Sequence, residues 1–234
     1  MKVEIWSDIN CPFCYMGKRN METALQQFPH RDEVEIIWRS FELNPYAEID
    51  PEESLYEKLA LKYGRSIQWA EASSRNVTER AAAIGLTYDL DRAIPTNSLD
   101  AHRLIHFAAR YGLQDQAKER LLSAYFTEGK HIGKHQTLAQ LAVEIGLDAV
   151  EVRRMLAGDD FKEAVRKDEA EAQKLGIRGV PFFVINRRYG ISGAQPSEVL
   201  LQALEQIWGE ENSVTELANS NQKQEGCSDD TCEV

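Results

Sequence analysis

The chain has 234 residues, 43% of them hydrophobic, and carries a formal net charge of −11. That length holds one large domain, or a small domain with an insertion, around a buried core. The acidic balance argues against a surface built for nucleic acid, and no apolar run approaches the roughly 18 residues needed to cross a bilayer.

In chain order, residues 3–6 are expected as a short strand, and Cys11-Pro12-Phe13-Cys14 follows where a helix over 13–28 begins. The unpaired N–H groups of a helix's first turn, and its macrodipole, favour negative charge there. Cys11 is therefore expected at the exposed helix start as a thiolate, its pKa moved from about 8.5 towards 7. Cys14, one turn further in, is expected to be shielded and to act as the resolving thiol. Pro12 removes one N–H and Phe13 supplies apolar surface without a cation, so the expected depression of the Cys11 pKa is moderate. Two thiols at this spacing close a small disulfide ring and carry two electrons.

Strand and cysteine motif follow the first residues at once, leaving no room for a signal peptide's apolar core, so a cytoplasmic location is expected. In a reducing compartment, cysteine pairs are more often catalytic or metal-binding than structural. The four cysteines form two pairs, Cys11/Cys14 and Cys227/Cys232. A zinc site needs both pairs together. The wider spacing of the second is loose for such a site, so the redox reading is preferred and no metal is expected.

A strand is expected over 34–41, where Val34, Ile36 and Trp38 alternate with Glu35, Ile37 and Arg39. Residues 50–176 read as six or seven helices. Asp50-Pro51-Glu52-Glu53 is a helix start, Asp148 and Asp159 or Asp160 are further N-cap candidates, and Gly64, Gly85, Gly112, Gly129, Gly146, Gly158 and Gly176 are expected helix ends. A strand over 180–185, a turn, a strand from Ile191 and a helix from Pro196 to Trp208 complete the order. From Gly209 the composition turns polar and a flexible tail is expected. The expected division is 1–49 with 177–208, an inserted helical domain over 50–176, and a tail over 209–234. Glu225, Asp229, Asp230 and Glu233 disfavour thiolates at Cys227 and Cys232. A flexible linker reaching roughly 20–25 Å could still bring that pair to Cys11 and Cys14 as an electron relay. A weak metal site and an inert tail are the rival readings.

Strand, helix, strand, a helical block, then strand, strand, helix is an α/β arrangement: a mixed sheet flanked by helices. With Cys-x-x-Cys after the first strand and Gly179-Val180-Pro181 before the third, it resembles the thioredoxin fold, and the long all-helical insertion after the second strand resembles the DsbA family. Ser7-Asp8-Ile9-Asn10-Cys11-Pro12-Phe13-Cys14-Tyr15, Phe41-Glu42-Leu43-Asn44-Pro45, Thr96-Asn97-Ser98-Leu99-Asp100-Ala101-His102-Arg103-Leu104 and Ser192-Gly193-Ala194-Gln195 are similar to the FrnE-like subgroup. The resemblance implies a thiol–disulfide oxidoreductase, with isomerase activity as a further option. It implies protein disulfides or dithiols as substrates, glutathione as a further candidate partner, and no cofactor. It also implies that Pro181 is a cis-proline facing the cysteine pair, with Pro12, Phe13 and Val180 lining a substrate groove.

Many thioredoxin-fold enzymes carry a buried acid six residues before the first catalytic cysteine, and here that position is Ile5. Glu4 is expected to face the other side of its strand. Asp8 is either a proton acceptor acting through water or an ordinary loop carboxylate, so the acceptor for Cys14 is open. His102 is expected as a packed residue, and His131 and His135 as loop-separated residues that bind no metal. Kappa-class glutathione transferases and 2-hydroxychromene-2-carboxylate isomerases resemble the chain in architecture. They use a lone serine-type residue, and the presence of both Cys11 and Cys14 argues against them.

Overall fold

Alternating side chains and neighbours on both edges make the N-terminal strand the hub of a mixed sheet. The computed structural model describes residues 1–222. β1 (Lys2–Ser7) lies between β2 (Glu35–Ser40) and β3 (Phe182–Ile185), with β4 (Tyr189–Ser192) outside β3, giving the order β2-β1-β3-β4. β1 runs parallel to β2, with Ile5 opposite Trp38, and antiparallel to β3, with Ile5 opposite Phe183. Val3 and Ile5 enter the main apolar cluster, while Trp6 packs with Ala172, Ile177 and Val184 on the opposite face. Glu4 shares that opposite face, fully buried, and pairs with Arg39 and Arg187. A carboxylate so placed is no neighbour of the cysteines, as the period of two requires.

Parallel strands need a crossover, and α1 (Pro12–Gln27) supplies it. Cys11 is its N-cap residue, with extended backbone (φ −98°, ψ 112°), and Pro12 takes the first helical position, where a missing N–H costs nothing. Gly17, one turn beyond Cys14, allows α1 to lie directly on β3: a Cβ there falls 2.8 Å from Pro181 Cγ and 3.3 Å from Phe183 Cζ. Gly17→Ala is therefore expected to destabilise the fold by about 1–3 kcal/mol through overpacking, overriding the roughly 1 kcal/mol by which alanine favours a helix. A lowered denaturant midpoint with unchanged slope is the expected result; a raised midpoint contradicts this packing.

Between β2 and β3 the described residues hold seven helices: α2 (Leu55–Tyr63), α3 (Ile67–Ala82), α4 (Leu99–Ala109), α5 (Gln114–Phe126), α6 (His135–Glu144), α7 (Ala149–Ala157) and α8 (Lys162–Lys174). α9 (Ser197–Gln222) then returns against α1. One apolar cluster runs from Val3, Phe28 and Phe183 at the sheet to Leu138 and Leu156 among the helices, with α4 packed against α5, α6, α7 and α8.

Three expectations about boundaries are corrected. α2 starts at Ser54, whose hydroxyl and Glu57 form a reciprocal capping box immediately before the first apolar residue, while Asp50 pairs with His131 and Lys134 instead. Neither Asp159 nor Asp160 caps α8: Phe161 is its N-cap residue, Asp159 pairs with Lys162, and the Asp160 carbonyl accepts from Arg103. Gly158 is not left-handed (φ −101°), unlike the other six glycines expected at helix ends, because Arg103 takes the Met155 and Gly158 carbonyls at 2.6 Å.

The segment expected to be flexible from Gly209 continues α9 as far as Gln222. Its polar side chains find partners along the helix or beside it: Gln206 donates to Glu210 at 2.9 Å, Asn212 to the Trp208 carbonyl at 2.9 Å, and Tyr189 to Glu210 at 2.5 Å. Cys227 and Cys232 lie outside the described residues.

Candidate redox site

Four separate stretches of sequence meet at the start of α1. Asp8, 1% exposed, accepts the Leu43 amide at 2.8 Å through one carboxylate oxygen and faces His102 Nε2 at 3.3 Å through the other. Asn10 donates to the Thr96 carbonyl at 2.7 Å, and Gly193 N–H to the Pro181 carbonyl at 2.9 Å. The Cys11 thiol donates to the Val180 carbonyl at 3.5 Å, directly before the cis peptide bond between Val180 and Pro181. Pro12 and Phe13 are half-buried beside it, Tyr88 donates to the Pro12 carbonyl at 2.7 Å, and the Arg80 guanidinium sits 5.2 Å from the Phe13 ring centre.

A cysteine pair opening the first helix of a βαβ unit, with a cis-proline loop across from it and a helical insertion after β2, carries the marks of a single family. The family model described as a DSBA-like thioredoxin domain matches residues 2–205. The chain belongs to the DsbA-like thioredoxin domain family. It is 46% identical to a probable DsbA oxidoreductase from Streptomyces coelicolor, which superposes with a TM-score of 0.86 over 90% of this chain and 91% of that one. It is 27% identical over 206 residues to the uncharacterised protein YwbO of Bacillus subtilis (strain 168), covering 86% of this chain and 94% of the relative. The cytosolic disulfide reductase DsbM from Pseudomonas aeruginosa, determined with GSH, shares the fold at 15% identity and a TM-score of 0.64, over 88% of this chain and 99% of that one.

In this DsbA-like chain the two cysteines are free thiols of unequal access: Cys11 is 4% exposed and Cys14 fully buried. Cys11 was expected at an open helix start, and the structure corrects that. The Val180 carbonyl lies 3.5 Å from the sulfur, and Tyr88 bonds the next residue's carbonyl. The expected depression of the Cys11 pKa is corrected too. Its hydrogen bond to Cys14 and its burial both push the Cys11 thiol up. Burial also works against a Cys14 anion, but the Cys11 thiol, Lys118, the Ser7 hydroxyl and the Asp8 amide together hold the Cys14 thiol down. Burial of the pair thus works against both anions, and the groups around Cys14 offset it at the inner sulfur. The argument from the helix terminus left out burial, which works against an anion on either sulfur.

One charged group near the sulfurs was not singled out. Lys118 on α5 is 1% exposed, donates to the Ser7 carbonyl at 3.4 Å and lies 5.4 Å from the Trp38 ring centre. Its signal was its place on the apolar stripe of α5, where Leu121 and Leu122 follow at helical spacing. His102 was read as a packed residue. It is one, fully enclosed, but its partner is the carboxylate three residues before Cys11. His131 and His135 pair with Asp50 and Asp100. Among the described residues no three His, Cys, Asp or Glu side chains gather as metal ligands do, and no helix is long and apolar enough to cross a membrane.

Burial holds His102 below its ordinary value, with Asp8 only partly offsetting it. Burial works against ionised Asp8, and the hydrogen bonds from His102, Leu43 and Ser98 outweigh it, holding its carboxyl below 3.8. Both folded groups bind fewer protons than their unfolded counterparts, so both make stability rise with pH. The His102 contribution is present above about pH 6.5 and is lost as pH falls from there through the folded value; that of Asp8 is lost only in the carboxylate range. His102→Gln is expected to flatten the fall in denaturant midpoint between about pH 6.5 and 5 while leaving the more acidic part. An unchanged slope in that window contradicts a neutral, buried His102.

Proposed function

We propose that the chain is a cytoplasmic oxidoreductase that exchanges disulfides with protein substrates through Cys11 and Cys14. The observation that carries this reading is the unequal pair itself: one sulfur retains surface at the helix N-cap beside Val180 and Pro181, and the other is sealed beneath it among groups that favour its anion. Cys11 carries the negative charge of the dithiol as a substrate disulfide enters. Cys11 then attacks that disulfide, and a mixed disulfide forms. Cys14 attacks Cys11 in turn, releasing the reduced substrate and leaving a Cys11–Cys14 disulfide. The reverse sequence donates a disulfide. Pro12, Phe13 and Val180 border the approach to Cys11 and supply the apolar wall and backbone carbonyl of a peptide groove. Reduction of insulin disulfides by the wild-type chain tests the reading, and refolding of a scrambled disulfide protein tests the isomerase option. Within the family, the convergence of the four quoted stretches on one site supports the FrnE-like subgroup.

The tail pair enters this cycle as a relay, with Cys227 and Cys232 receiving or supplying electrons at Cys11–Cys14. Replacing both by serine is expected to slow multiple-turnover insulin reduction several-fold while leaving a single turnover unchanged; equal multiple turnover removes the relay. Glutathione is the second thiol partner to try, since the DsbM relative that shares this fold was determined with GSH. The glutathione-transferase reading predicts conjugation that survives Cys14→Ser, whereas the redox reading predicts its absence.

A further inference from the structure

Two buried lysines, Lys18 and Lys118, lie 6.0 and 5.4 Å from the Trp38 ring centre, and only one of them is neutralised. Lys18 on α1 is held by Glu22, by Asp115 at 3.2 Å and by Glu119 at 3.0 Å. These carboxylates outweigh its burial and hold it as an ammonium. Lys118 has no carboxylate within 4.0 Å among the described residues, and its only hydrogen-bond acceptor is the Ser7 carbonyl at a long 3.4 Å. An isolated ammonium costs several kcal/mol in such surroundings. A chain that keeps one there, at the Ser7 carbonyl and within electrostatic reach of the inner sulfur of a dithiol, has placed a group able to exist as the neutral amine.

We propose that Lys118 is the proton acceptor for Cys14, filling the role left open by Ile5. The inference rests on the parts given above to Cys11 and Cys14. In the mixed disulfide, the Cys14 thiol passes its proton to the neutral Lys118 amine, giving a thiolate and an ammonium. The thiolate attacks Cys11 Sγ: the Cys11–Cys14 bond forms, the bond from Cys11 to the substrate breaks, and the electron pair leaves on the substrate sulfur. The cysteine pair is oxidised by two electrons and the substrate disulfide is reduced. With the anion gone, nothing neutralises the ammonium, and Lys118 gives up the proton through water to the departing thiolate. The one thiol proton of the pair thus ends on the second substrate sulfur, the first having left as a thiolate that takes its proton from water, and the amine is regenerated.

The groups facing Lys118 fit this cycle. Burial and Lys18 lower its affinity for a proton, bringing it down to about 8, while Cys14, Asp8 and Cys11 raise it. His102, held below its ordinary value, and the Trp38 ring complete the enclosure from α4 and β2. Disulfide formation removes the cysteine contribution, so the lysine becomes more acidic each time the pair is oxidised.

Two measurements test the assignment. In the wild-type chain carrying carbon-13 lysine, the Lys118 Cε resonance is expected to titrate lower in the disulfide form than in the dithiol form, by about one pH unit or more. Identical titration in the two forms overturns the proposal. In stopped flow with dithio-bis-nitrobenzoate as substrate, attack by Cys11 releases one thionitrobenzoate and resolution by Cys14 a second. Lys118→Met is expected to slow the second release on the order of 10²-fold near neutrality, with recovery of tenfold per pH unit on the alkaline side. A second release with the wild-type rate and pH profile overturns it. Absence of the first release in the wild type counts against the thiol-exchange reading instead, and the lysine titration then still decides the state of Lys118. The same titration decides if Lys118→Met does not fold.

Discussion

Serine in place of Cys11 is expected to reduce insulin-disulfide turnover on the order of 10³-fold or more, the scale on which loss of a nucleophile acts. A hydroxyl at this position cannot carry the anion that a thiol passes to substrate, and Cys14, with no exposed surface, cannot take over. Cys14→Ser is expected to lose turnover as completely by a different route. Its Cys11 still attacks, but nothing resolves the adduct, so a stable mixed disulfide accumulates and is visible by mass. The asymmetry is the informative part. A half metal site loses its ligand equally from either side, and a non-catalytic sensor shows no turnover to lose. Equal trapping of substrate by the two variants contradicts the assignment of Cys11 as attacker.

Arg103→Met is expected to cost about 3–5 kcal/mol of folding stability, the range for breaking a buried ion pair by removing one partner. The guanidinium is 1% exposed and pairs with Asp100 at 2.7 Å. It also donates to the carbonyls of Met155 and Gly158 at 2.6 Å, Leu156 at 3.5 Å and Asp160 at 2.7 Å. These acceptors are the unpaired carbonyls at the end of α7 and the entry to α8, so one side chain from α4 closes a helix terminus that no glycine closes. Methionine fills much of the volume and satisfies none of the acceptors. Because α4 also presents His102 to Asp8, loosening it is expected to reach the cysteine site as well. A denaturation curve at neutral pH measures the loss, and a change below about 1 kcal/mol shows that water replaces the guanidinium.

The elements of the fold were legible in the sequence because each carried its own local signal. A short apolar strand, a cysteine pair with proline at the helix start, glycines at helix ends and a Val-Pro step before an apolar run suffice to set the elements in chain order, and the resemblance to the DsbA family added that Pro181 faces Cys11. Where local signals competed, the reading slipped. Asp50 and Ser54 each suit an N-cap with a glutamate three residues on, and the box closes at Ser54, next to the first apolar residue of the helix. The polar stretch after Gly209 lacked an apolar stripe, yet its side chains bond along the helix and to Tyr189.

The electrostatics of the site were the least legible part, for a physical reason. A helix terminus acts through neighbours in sequence, whereas the groups that set the charge on Cys14 come from α5, β1 and the turn into α1, and burial magnifies their effect. Nothing near Cys14 in sequence announces Lys118. Likewise the Asp8 carboxylate was visible, but its engagement by Leu43 and His102 depended on chain brought back by the sheet and the insertion. That engagement leaves Asp8 a fixed anion and makes the lysine the better placed proton acceptor.

Equilibration of the purified chain across a series of glutathione redox ratios, followed by peptide mapping, tests the central claim most directly. The account predicts a single two-electron transition in which Cys11 becomes linked to Cys14, and its disappearance in either serine variant. Thiols at both positions that stay reduced across the whole series, or an oxidised product linking neither to the other, contradict it.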